Sequence, residues 1–204
     1  MNIQDFKASL SPETIEAVKA VAAKSQDITT DDKDTFSNYI KLSSEALGED
    51  QIAEPVRYIV ASMGGLRSED LQQLIGEEFN AEVFEEWNKM FETPVLTYRD
   101  LPGDNHLYDV APKMRELLRE EMGENNFKSC ASDIGYYLYQ HKPAGDIIRD
   151  TQTMHLLLDG GEAAAAAEYI SEANDNQLRM AVNILANGIK DAPDYVKETI
   201  WDMA

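Results

Sequence analysis

Helix start and stop signals punctuate this chain along most of its length, and they constrain its fold more than any other feature. Ser11-Pro12 reads as an N-cap followed by proline at the first helical position, where the missing N–H costs nothing. The helix it opens is expected to run to about Ser25, with Ile15, Val18, Val21 and Ala22 at the 3.6-residue period. A second helix is expected from about Asp32 to Leu47, stopped by Gly48, with Phe36, Tyr39, Ile40 and Leu47 as its apolar stripe. Pro55 suits the first turn of a third, ending at Gly64-Gly65, and Ser68 reads as the cap of a short fourth. Asn80 caps a fifth, and Pro112 opens a helix that ends at Met122 with Gly123 just beyond it.

The last third reads as short stacked helices over 132–141, 145–158, 162–173, 177–187 and 193–203. Breaks fall at Pro143, Gly160-Gly161, Asn174-Asp175-Asn176 and 188–192. Helix starts recur there at about 16 residues, so a helix pair repeats at roughly 32, close to helical-repeat lengths but without the residue signature of a known repeat. The Ala163–Ala167 run is a strong helix former with a slim profile that lets a neighbour approach closely. These signals together predict an all-α fold, a compact array or bundle of about ten to twelve short helices, with a helical-repeat-like C-terminal half as one arrangement. The expected organisation is an N-terminal helical half over 1–92, an irregular connecting segment over 93–111 and a C-terminal helical array over 112–204. The two halves can pack as one domain. The connecting segment contains Val95-Leu96-Thr97-Tyr98, at most a short strand, and a Pro102-Gly103 turn.

At 204 residues the chain is long enough for a self-sufficient core, and 43% hydrophobic with 27% charged residues is a globular composition. No stretch approaches 18 consecutive apolar residues, and MNIQDFKASL has neither a basic nor an apolar region of a secretory signal. The single Cys130 excludes an intramolecular disulfide framework. A cytoplasmic location is expected, that of the host if the source is viral.

Charge is the unusual quantity. There are 38 acidic and 18 basic residues, a net of -20. Residues 1–50, 51–100, 101–150 and 151–204 carry nets of -5, -6, -3 and -6, so the acid belongs to the folded surface and is not an appended tail. Such a surface repels nucleic acid and anionic membranes and attracts basic proteins, although solubility alone also accounts for it.

The stretch GEEFNAEVFEEWNKMFE, Gly76 to Glu92, concentrates the question. Phe79, Val83, Phe84, Trp87, Met90 and Phe91 fall on one helical face, expected to be core. Glu78, Glu82, Glu85 and Glu86 recur on the polar face, where like charges at i, i+4 cost roughly 0.2–0.5 kcal/mol per pair. Only Glu85 has a lysine, Lys89, at the favoured spacing. These four glutamates are the candidate partner-binding residues.

No catalytic signature stands out, and catalytic residues, cofactor and metal are all expected to be none. His106 and Asp109 form an H-x-x-D pair near Asp104, His155 has apolar helical neighbours, and no histidine has zinc-motif spacing. The acidic loops at 27–34 and 100–109 lack the EF-hand spacing. Lys113, Arg115 and Arg119 form the densest basic group but sit among glutamates, so internal pairing is expected. The expected function is therefore that of a non-enzymatic acidic binding protein that engages a basic surface of a protein partner. One form is a nucleic-acid mimic, or a phage-type inhibitor of a DNA- or RNA-binding host protein. An oligomeric helical assembly protein and an enzyme of an unrecognised helical class are the alternatives.

Overall fold

The computed structural model describes residues 1–101, 105–141 and 147–172. Helix predominates: among the described residues there are ten helices and three short strands. The chain divides into two compact units, Met1–Glu124 and Asn125–Ala204.

The first unit begins with α1 (Ile3–Ser9), whose Asn2 side chain accepts the Asp5 N–H at 2.8 Å. α2 (Pro12–Ala22) follows the Ser11 cap. α3 (Thr30–Leu47) starts in a reciprocal box: the Asp32 carboxylate accepts from the Thr29 N–H and hydroxyl, both at 2.8 Å, and the Asp32 N–H donates back to Thr29 Oγ1. α4 (Ala53–Ala61) leads through Gly64-Gly65 into β1 (Leu66–Arg67) and α5 (Ser68–Ile75). The expected cap Ser68 is the first residue of α5; the Arg67 N–H is taken by Asp70 Oδ2 at 2.7 Å. α6 (Ala81–Asn88) is capped by Asn80, as its sequence indicates.

The all-α expectation is met in the helical majority and departs from the structure in one place, a small sheet. β2 (Thr97–Leu101) and β3 (Asn105–Asp109) pair antiparallel, Tyr98 opposite Tyr108 and Asp100 opposite His106, and β1 completes a sheet of order β1–β3–β2. The Pro102-Gly103 turn lies outside the described residues. The short strand expected at Val95–Tyr98 overlaps β2 only at Thr97 and Tyr98, and the rest escapes a pattern reading because Thr97–Leu101 and Asn105–Asp109 alternate only weakly. Gly65 is obligatory beside this sheet: its φ is +89°, and a Cβ there would come within 2.5 Å of the Tyr108 carbonyl oxygen.

α7 (Pro112–Met122) ends at Gly123. Its Arg115 lies against the C-terminal end of α4 and donates to the carbonyls of Ile59 at 2.6 Å and Val60 at 2.9 Å, to that of Ser62, and to the Asp109 carboxylate. A helix end leaves carbonyls without intrahelical donors, and one guanidinium serves several of them here. The centre of this unit is aromatic. Trp87 stacks between Tyr39 (5.6 Å, 8°) and Phe84 (5.5 Å, 27°), and Phe84 meets Tyr108 edge-on. Ile52, Ile59, Leu66 and Leu71 of the same unit are fully buried as well.

In the second unit α8 (Glu124–Gln140), α9 (Ile147–Asp159) and α10 (Ala163–Ser171) pack around Met154, Leu157, Ala166, Tyr169 and Ile170. α8 starts eight residues before its expected position. Glycine permits the close approach of α8 to α9: a Cβ on Gly135 would meet Leu157 N at 2.9 Å, and one on Gly160 would meet Ser132 N at 2.6 Å. The small side chains of Ala165 and Ala166 are buried, in keeping with the slim profile of their run. The helices expected over 177–187 and 193–203 lie outside the described residues.

Candidate functional site

The candidate site is the outer face of α6. Asn80 Oδ1 accepts from the N–H groups of Glu82 at 3.0 Å and Val83 at 3.2 Å, which fixes the helix start. Gln51 clamps the preceding turn, donating to the Glu78 carbonyl and accepting from the Asn80 N–H at 2.9 Å. The helical period then turns Phe84 and Trp87 into the core, with Phe79, Met90 and Phe91 buried beside them. The same period leaves Glu82 and Glu86 exposed and Glu85 half-buried.

A groove of about 500 Å³ runs between α1 and α6. Ile3, Gln4 and Lys7 line one side, and Glu82, Glu85, Glu86, Lys89 and Met90 the other. Three of the four glutamates singled out in the sequence thus share one groove; Glu78 is exposed on the turn before the helix and does not line it. Lys7 spans the groove and donates to the Met90 carbonyl at 2.7 Å. Among the described residues, Glu78, Glu82 and Glu86 have no ion-pair partner.

Glu85 is different. It accepts from Lys89 at 2.7 Å, the i+4 pair visible in the sequence, and lies 3.3 Å from both the Tyr98 hydroxyl and His106 Nε2. Tyr98 packs on His106 with ring centroids 4.7 Å apart, and its hydroxyl meets Nδ1 at 2.7 Å. Asp100 reaches the same Nδ1 at 3.1 Å, while Lys89 lies 4.0 Å over the Tyr98 ring and 2.9 Å from its hydroxyl. The Lys89 ammonium holds the Glu85 carboxyl below its usual range, against the opposing effect of burial. In turn Glu85, and after it Tyr98, pushes Lys89 above the ordinary lysine value. Burial raises the Tyr98 hydroxyl. Both imidazole nitrogens are occupied, and His106 lines neither this groove nor the apolar pocket beside Phe36 and Met114. Chemically, the cluster is a bracket tying α6 to the hairpin.

The sequence pairing of His106 with Asp109 does not form. Residues three apart on a strand point to opposite faces, whereas Asp100 and His106 face each other across the ladder. Asp109 instead accepts from Arg115 and from the Val110 N–H at 2.7 Å. Asp104 lies outside the described residues. Recognising the hairpin register is the signal that would have grouped Tyr98, Asp100 and His106 with Glu85.

Elsewhere, Lys113 pairs with Glu116 at 2.7 Å, and His155 is half-buried, with burial pulling its imidazole down and Asp159 opposing. Among the described residues, no group of three or more His, Cys, Asp or Glu side chains is placed to hold a metal ion, and no helix is long and apolar enough to cross a membrane. No family model, no curated protein and no solved structure matches the chain.

Proposed function

We propose that this chain is a non-enzymatic acidic binding protein whose outer α6 face engages a basic surface of a protein partner. The observation that carries this reading is the pair Glu82 and Glu86: exposed, on one wall of a groove, without an ion-pair partner among the described residues, on a rigid and well-capped helix. An unpaired carboxylate pair of this kind gains from a partner's Lys or Arg without first breaking an internal salt bridge. The opposite wall contributes Ile3, Gln4 and Lys7 but no carboxylate. An i, i+4 row alone places one charge per about 6 Å, against one per about 1.7 Å of duplex DNA. The reading is therefore of a basic protein surface in general, with duplex mimicry requiring further carboxylates beyond this groove. The single cysteine fits a cytoplasmic setting.

The test is capture of basic proteins from lysate by the parent chain and by the triple variant Glu78→Lys, Glu82→Lys, Glu86→Lys, at low and high salt. The parent is expected to retain a basic partner at low salt and release it as exposed charges are screened beyond about 8 Å at physiological ionic strength. The triple variant is expected to fold normally, because surface changes are usually worth under about 0.5 kcal/mol each, and to lose the partner chiefly through slower association. Retention that ignores both salt and the reversals assigns the charge to solubility and removes the reading.

A further inference from the structure

β2 is an edge strand. Among the described residues, the order β1–β3–β2 leaves one side of Thr97–Leu101 without a strand neighbour. Among the described residues, no backbone group outside the sheet bonds to those five. Arg99 and Asp100 are exposed, the Asp100 side chain by 80%, and Arg99 has no ion pair among the described residues. Such an edge is a ready template for a further strand.

A second copy of this chain is a poor occupant for reasons of symmetry. A two-fold axis that joins two β2 strands antiparallel in one sheet stands perpendicular to it and preserves its faces. Directly opposed residues then have numbers of the same parity. The register engaging all five residues sets Arg99 against the other Arg99, and the next toward the hairpin tip sets Asp100 against Asp100. Like charges directly opposed destabilise a ladder. The register in the other direction stops short, because Leu96 is buried and Asn88 holds both its N–H, at 2.7 Å, and its carbonyl, at 3.4 Å. Each copy also carries a net charge of -20.

Charge points to a different occupant. Residues 1–124 hold 26 acidic and 12 basic side chains. Asp100 shares its sheet face with Tyr98, His106 and, beyond them, Glu85. We propose that the β2 edge receives an extended basic segment of a partner protein as a fourth strand, with a Lys or Arg directly opposite Asp100. This rests on the reading of the chain as a binder of basic proteins and adds where and in what conformation one segment docks.

The experiment uses two fluorescent octapeptides of alternating Lys and Thr, one unmodified and one N-methylated throughout. The methylated peptide keeps every side chain and charge but has no N–H to donate. Fluorescence anisotropy with the full chain at low salt is expected to show binding of the unmodified peptide at least about tenfold tighter. Asp100→Lys is expected to weaken that binding about threefold to tenfold, and the amides of Thr97–Leu101 are expected to gain protection from hydrogen exchange when the peptide is bound. Equal binding of both peptides overturns the edge proposal and leaves the acidic-surface reading standing. Binding of neither peptide overturns both. A dimer of the chain in sedimentation that Asp100→Lys dissolves also overturns the proposal, because the edge would then be filled by a second copy.

Discussion

Replacing Trp87 with alanine tests whether the aromatic face of α6 is core or contact surface. Trp87 is fully buried, stacked between Tyr39 and Phe84, and its Nε1 donates to Ser43 Oγ at 2.9 Å. Truncating a buried tryptophan costs about 3–5 kcal/mol through lost transfer energy and the cavity left behind. The severed hydrogen bond adds about 1 kcal/mol, so the total is about 4–6 kcal/mol. Set against a typical stability of about 5–15 kcal/mol, that is enough to unfold a marginal domain. Trp87→Phe keeps a ring in the stack while losing the indole N–H and part of the volume, and is expected to cost about 1–2 kcal/mol. Urea unfolding followed by far-ultraviolet circular dichroism should rank parent, Trp87→Phe and Trp87→Ala in that order. A Trp87→Ala variant that unfolds within about 1 kcal/mol of the parent refutes the packing argument, and loss of a partner at unchanged stability would make this face the binding surface.

Asp32 is held down to about 2 from the usual 3.8, first by the Lys24 ammonium at 2.6 Å and then by the Thr29 N–H and hydroxyl. A depressed carboxyl stabilises the fold above its unfolded value, and that contribution is lost as pH falls from about 4 to about 2. Asp32→Asn should therefore cost about 1–2 kcal/mol at pH 7, discounted because Lys24 is solvent-exposed. In paired urea titrations its difference from the parent should shrink to a small fraction near pH 2 and vanish below it; a gap as large at pH 2 as at pH 7 contradicts the linkage. The Tyr108 hydroxyl is buried and makes no hydrogen bond of normal geometry among the described residues, the Ser68 side chain interacting with it only weakly against the effect of burial, so Tyr108→Phe is expected to change stability by no more than about 1 kcal/mol. A loss above about 1 kcal/mol in thermal melts would mean that the hydroxyl is satisfied.

What could be read from the sequence followed the residues whose backbones behave unlike the rest, proline with its fixed φ and glycine with its access to positive φ. Pro12, Gly48, Pro112 and Gly123 mark helix ends where the structure has them, because proline and glycine carry their conformational preference with them. α1 has no such marker, and α8 begins immediately after the glycine that closes α7, in a Glu124-Asn125-Asn126 stretch that reads as loop. The sheet was legible only as a short strand at Val95–Tyr98, for another reason: its strands are defined by which residues they oppose, and register is not a local property. The same holds for the site. The helical period places Glu82, Glu85 and Glu86 on the polar face and i+4 spacing pairs Glu85 with Lys89, but adding Tyr98 and His106 to Glu85 depends on the hairpin.

The internal ion pairs of residues 1–124 bear on where the excess acid can be neutralised. Lys19, Lys24, Lys33, Arg67, Lys89, Lys113 and Arg115 each have a carboxylate of the same unit within 4 Å. Most of the unit's 12 cations are thus already committed, while 26 acidic side chains compete for them. Rearranging the side chains cannot remove the surplus; only mobile counterions or a partner's cations can. Glu82 and Glu86 carry part of that surplus on a helix whose position is set by the opposite face, through Phe84 and Trp87. Their charge can therefore be reversed with little effect on the core, so reversal at these two positions separates a binding role from a folding role, which reversal at Glu85, tied to Lys89, Tyr98 and His106, cannot do.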